Sequence, residues 1–133
     1  MTYSIIEAKT IAYLLILVFF SIVFIQSGMD KIIDKKGNLS FLVSHLEKVF
    51  SRTLIKIAFY VVTFLEISSG ILCLLGTFQL LFFEQKQLGL IGIFVGSVAL
   101  LILLFGQRVS KNYDGAQTIA VYFILSIIGV LLS

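Results

Sequence analysis

The sequence predicts an all-α integral membrane protein, a four-helix bundle with a short amphipathic interfacial helix between its first two spans. Three observations lead there. Hydrophobic residues make up 59% of the chain and charged residues 13%, against about 25% charged in an average soluble domain. The mean hydropathy is +1.12, and the apolar residues gather into four runs close to the ~20 residues that cross a bilayer as a helix. Polar residues concentrate in two loops, 30–54 and 106–115. Residues 1–133 therefore read as a single transmembrane domain with no large extramembrane part.

The first span is expected at about 11–29, uncharged from Ile11 to Ile25, with Gln26, Asp30 and Lys31 at its polar end. Lys9 against Glu7 makes a thin basic flank, and Gln26-Ser27-Gly28 is a poor cleavage site, so the run reads as a retained span rather than a signal peptide. After the turn residues 34–38, Asn38 is the expected N-cap of an amphipathic helix at about 39–53. There Leu39, Leu42, Val43, Leu46, Val49 and Phe50 recur at helical spacing opposite Ser40, Ser44, Glu47, Lys48, Ser51 and Arg52. That segment is too charged to span, so it should lie in the interface or cover the bundle mouth like a lid.

The second span, about 55–75, carries Glu66 near its centre. An intramembrane acid costs about 2.5–3.5 kcal/mol on insertion scales, so it belongs in a bundle interior beside a partner. Periodicity agrees: Thr63, Ser69, Gly70 and Cys73 share the stripe of Glu66, while Ile57, Val61, Phe64, Ile71 and Leu75 take the other face. The third span, about 88–105, places Gly89, Gly92, Gly96 and Ala99 along one side, read as packing within the chain, with a homo-oligomer seam as the alternative. The fourth, about 116–132, is expected to open on a capping box, Asp114 with Gln117, and to turn Asp114, Thr118, Tyr122, Ser126 and Gly129 inward.

The net charge of +3 is strung along loops rather than gathered on a soluble face, which argues against nucleic acid and for retention at anionic headgroups. Lys31, Lys35, Lys36, Lys48, Arg52, Lys56, Arg108 and Lys111 fall on the side of the two polar loops, against Lys9 and Lys86 on the other. By the positive-inside rule, both loops are expected in the cytoplasm and both termini outside. A lone Cys73 removes internal disulfide chemistry, and one histidine, His45, read as an interfacial side chain, does not make a metal site.

Ser27-Gly28-Met29-Asp30-Lys31-Ile32, Leu65 to Gly70 with Leu72 to Gly76, and Gly106 to Gln117 resemble, in order and placement, the DoxX-like family of small four-helix bacterial membrane proteins. The resemblance covers nearly the whole chain. It implies a bacterial inner-membrane protein, an accessory subunit associated with other membrane subunits in an oxidoreductase complex. Gly28, Lys31, Glu66, Gly70 and Arg108 are the positions matching the recurring polar elements. A redox role would then draw on a quinone or a partner's cofactor, since no cofactor is expected within the chain.

The sharpest expectation is that Glu66, Lys31 and Arg108 converge on a polar pocket shielded by the 39–53 helix. Tyr113, Tyr122 and Gln26 would add neutral hydrogen bonds, and the ligand would be a quinone headgroup or a small anion. Lys31 and Arg108 are expected two to three turns from Glu66 along the axis, a gap for long side chains or water to bridge. In the bland alternative Glu66 is protonated, or bonds to Thr63, Ser69 or Tyr122, and simply fixes helix register. Arg108 and Lys111 are further candidates for an anion or lipid headgroup. A structural partner subunit and a proton-coupled transporter using Glu66 are the competing functions.

Overall fold

The computed structural model describes residues 2–133, with side chains described from Ala8 onward; Glu7, expected to offset Lys9, lies outside the described side chains. The described chain is helical throughout: Thr2–Ile33 (α1), Lys35–Leu46 (α2), Arg52–Phe83 (α3), Gln87–Val109 (α4) and Tyr113–Leu132 (α5). α1, α3, α4 and α5 are each long and apolar enough to cross a membrane. The protein is thus a multi-pass helical bundle with α2 as a short element beside it. Continuous helix is what lipid demands, because a broken backbone would leave polar groups with no water to bond.

Three helix starts differ from the sequence expectation. α2 begins at Lys35 because Asp34 is its N-cap, accepting from Gly37 N. Asn38 instead donates its amide to the carbonyls of Asp30 and Asp34, closing the end of α1. α2 stops at Leu46 because Ser51 caps a new helix by accepting from Leu54 N, so Val49 and Phe50 fall in a turn. Likewise α5 is capped by Asn112, accepting from Gly115 N, and Asp114 sits exposed in the first turn without serving as cap.

α3 also runs further than expected, through Gly76 to Phe83, which leaves only residues 84–86 to connect it to α4. Gly76 is a packing residue rather than a stop. A β-carbon there would stand 2.5 Å from Gly89 Cα and N, so α3 and α4 touch backbone to backbone. The antiparallel register continues with Gly92 against Cys73 and Gly96 against Ser69, where Ser69 Oγ donates to Gly92 O across 2.6 Å. α1 packs on α3 through Gly28 against Ile67 and Gly70 against Ile25. The core runs through Tyr13, Leu17, Phe20 and Phe24 of α1, Cys73 and Leu80 of α3, and Ile93 and Leu100 of α4.

At the short-loop end, Tyr13 hydroxyl donates to Lys86 O at 3.0 Å while Lys86 Nζ donates to Leu132 O at 3.1 Å, capping α5. α5 is the least covered span, with 17% of its apolar window buried against 33 to 39% for the others. Its inward side is Ala116, Ser126 and Gly129, with Tyr122 half-buried. Thr118 and Asp114 are exposed and leave the stripe expected of them.

Candidate functional site

Glu66 is 1% exposed, in the middle of α3 among the buried Ser69, Gly70 and Cys73, while Ile57, Val61, Phe64, Ile71 and Leu75 on the opposite face are exposed. The periodicity of the span dictates this placement. Lys31 Nζ stands 2.9 Å from Glu66 Oε1 and donates to Ser27 Oγ at 3.0 Å. The contact with Glu66 is an ion pair at that distance but is not aligned as a hydrogen bond, and Oε1 has no hydrogen-bond partner among the described residues. Charges so close in a low-dielectric interior interact strongly at any angle, so the ion pair holds the two side chains together. The bland partners are otherwise engaged: Thr63 donates to Phe59 O and Ser69 to Gly92 O.

Lys31 reaches Glu66 without the expected gap of two to three turns. Gly28 meets Ile67, and one turn onward Lys31 stands opposite the turn of α3 that carries Glu66. The cause is an offset between helices. α1 is displaced towards the short-loop end, so its last turn lies at mid-depth of α3, and the first turns of α3 stand clear of it. α2 occupies the space this leaves.

Beneath α2 lies a cavity of about 270 Å³, lined by Phe41, Leu42, His45, Leu46 and Phe50 from the α2 side. Ile55, Ala58, Phe59 and Val62 of α3 and Ile102, Leu103 and Phe105 of α4 complete its apolar wall. Lys31 lies at one edge, and Gln107, Ser110 and Asn112 bring polar groups from the end of α4 and its loop. Phe50 and Phe105, both on the cavity wall, meet with ring centroids 6.1 Å apart. His45 packs on Phe41 at 4.1 Å between centroids, and its Nδ1 lies 2.9 Å from Phe41 O.

The pocket is therefore apolar and aromatic with one cation, where a polar one was expected. Glu66 stands behind Lys31 rather than on the wall. Arg108 does not join the pair; it is exposed over the Tyr113 ring at 4.7 Å, with Tyr113 itself 52% exposed. Tyr122 packs edge-on against Phe19 at 5.9 Å, Gln26 is exposed, and Lys111 is an exposed loop residue at φ 60°. Gly28, Gly70, Gly92 and Gly96 all make close contacts within the chain. Sequence reading did not assign Gln107, Ser110 and Asn112 to the site, although they lie in the polar 106–117 stretch, nor Ser27, which the i, i+4 spacing to Lys31 could have flagged.

Fold and site together define a multi-pass helical membrane protein with a lidded apolar cavity beside a buried ion pair. No family model, no curated protein and no solved structure matches the chain.

Proposed function

We propose that the protein binds a lipophilic small molecule of the quinone class in the cavity under α2, as an accessory subunit of a membrane oxidoreductase complex. The cavity carries this reading. Its lining is hydrophobic and aromatic with a few convergent polar groups, and about 300 Å³ is the lower end of the usual range for small-molecule sites. A ring-sized headgroup matches that volume, the aromatic walls suit a flat ring, and Lys31 offers a charged donor to a carbonyl oxygen. Glu66, 2.9 Å behind Lys31, orients it towards the cavity. Electron delivery falls to a partner protein, in keeping with the redox-complex association that a DoxX-like chain would have.

The same reading puts the protein in a bacterial inner membrane with the α2 side in the cytoplasm. The weight of Lys and Arg on that side supports the orientation. The test is equilibrium titration of a short-chain quinone into the protein in lipid nanodiscs. Saturable one-to-one binding is expected, weakened about tenfold or more by Lys31→Met, since a hydrogen bond to a charged group contributes about 1.5–3 kcal/mol. Binding that never saturates, or that ignores Lys31→Met, would remove the reading.

A further inference from the structure

α2 separates two compartments of different chemistry. Phe41, Leu42, His45 and Leu46 turn to the cavity, whereas Lys36, Ser40, Ser44 and Glu47, spaced about one turn apart, face a second groove of about 540 Å³. Arg52 and Lys56, one turn apart on α3, form its other wall, and Leu39 and Val43 complete it. The groove thus holds three cations against one carboxylate. Glu47 is exposed and only loosely held, 3.4 Å from Arg52 NH2, so it leaves the excess positive charge in place.

The depth of this groove follows from the helix register. Gly76 meets Gly89, Cys73 meets Gly92 and Ser69 meets Gly96, so the same antiparallel pairing sets Lys56 level with Val109, the last residue of α4, and Arg52 a turn beyond. That is where the apolar part of the bundle ends and a leaflet's phosphates begin. Cations at phosphate depth, two serine hydroxyls and two aliphatic side chains in one groove match a group that is anionic at one end and apolar at the other.

We propose that the groove between α2 and the start of α3 is a binding site for an anionic phospholipid, its phosphate held by Lys36, Arg52 and Lys56 and its glycerol and upper acyl carbons against Leu39 and Val43. A free phosphate would share the ionic contacts but leave the aliphatic wall unused. The site is separate from the cavity and does not depend on what the cavity binds. It also differs from Arg108 and Lys111: Arg108 stacks on Tyr113, and neither residue lines this groove.

Native mass spectrometry of the detergent-purified protein, titrated with phosphatidylglycerol or phosphatidylcholine, tests the site. A one-to-one adduct with phosphatidylglycerol is expected, at least tenfold tighter than with phosphatidylcholine. Each cation near an anionic lipid surface contributes roughly fivefold, so Lys36→Gln/Arg52→Gln/Lys56→Gln should weaken the adduct about a hundredfold. Lys48→Gln/Arg108→Gln/Lys111→Gln removes as much charge outside the groove and should change it less than about twofold. Helical content by circular dichroism, unchanged in both variants, separates lost binding from lost fold. Equal weakening by the two triple variants would reduce the site to general surface charge and overturn the proposal. So would an adduct that inorganic phosphate displaces at the affinity of the lipid, since the occupant would then be the free anion.

Discussion

The two ends of the bundle are built on opposite principles. Towards the short-loop end, α3 and α4 approach until Gly76 and Gly89 touch, Gly92 sits on Cys73, and Tyr13 and Lys86 tie α1, the connecting loop and α5 together. Towards the α2 end Gly106 has open space where a β-carbon would stand, and a cavity of about 270 Å³ lies between α2, α3 and α4. Without a hydrophobic force between helices in lipid, close packing of small residues is what holds a bundle together. Fastening one end tightly lets the other carry empty space. Glu66 and Lys31 stand at the boundary, one turn from the last glycine contacts, with Lys31 on the cavity wall and Glu66 behind it.

The largest expected effect lies in the fastened half. Gly76→Leu forces a branched side chain into backbone, where no flexible group can yield, and should destabilise the protein by about 3 kcal/mol or more. Thermal unfolding in detergent should show loss of the folded transition. Gly106→Leu, the same change in the open half, should leave the melting temperature within a few degrees. If the two variants behave alike, the contrast between the halves fails.

The boundary comes next. Lys31→Met or Glu66→Leu alone leaves a buried charge unpaired and is expected to cost about 3–5 kcal/mol, while Lys31→Met/Glu66→Leu together should recover most of that loss. A double-mutant cycle on unfolding free energies measures the coupling. Additive losses would mean that the two side chains act independently. The smallest effect belongs to Ser69→Ala, which removes one interhelical hydrogen bond worth about 0.6 kcal/mol in lipid and should shift the midpoint only slightly.

Much of the fastened half was legible in the sequence. The stripe of Glu66, Ser69, Gly70 and Cys73 follows from helical periodicity alone, and the third span's glycines announced a close approach. The open half was harder, for physical reasons. Asp34 and Asn38 are both good N-cap residues about one turn apart, and Asn38 is drawn away by the carbonyls at the end of α1. The reach of Lys31 depends on how far α1 is offset from α3, which packing sets and periodicity does not. Arg108 carries the same charge as Lys31, yet its guanidinium finds an aromatic face first. The cavity has no motif because its walls come from α2, the turn after it, the ends of α3 and α4, and the polar loop that follows α4.

Assignment of the cavity as the ligand site is tested most directly by filling it. Ala58 lines the cavity from α3, so Ala58→Phe should place a ring where the headgroup would sit. Titrated with a short-chain quinone in nanodiscs, the wild-type protein should bind one equivalent saturably. Ala58→Phe should lose that binding by at least tenfold while unfolding at the same temperature. Undiminished binding to a stably folded Ala58→Phe protein would contradict the assignment and move the ligand elsewhere.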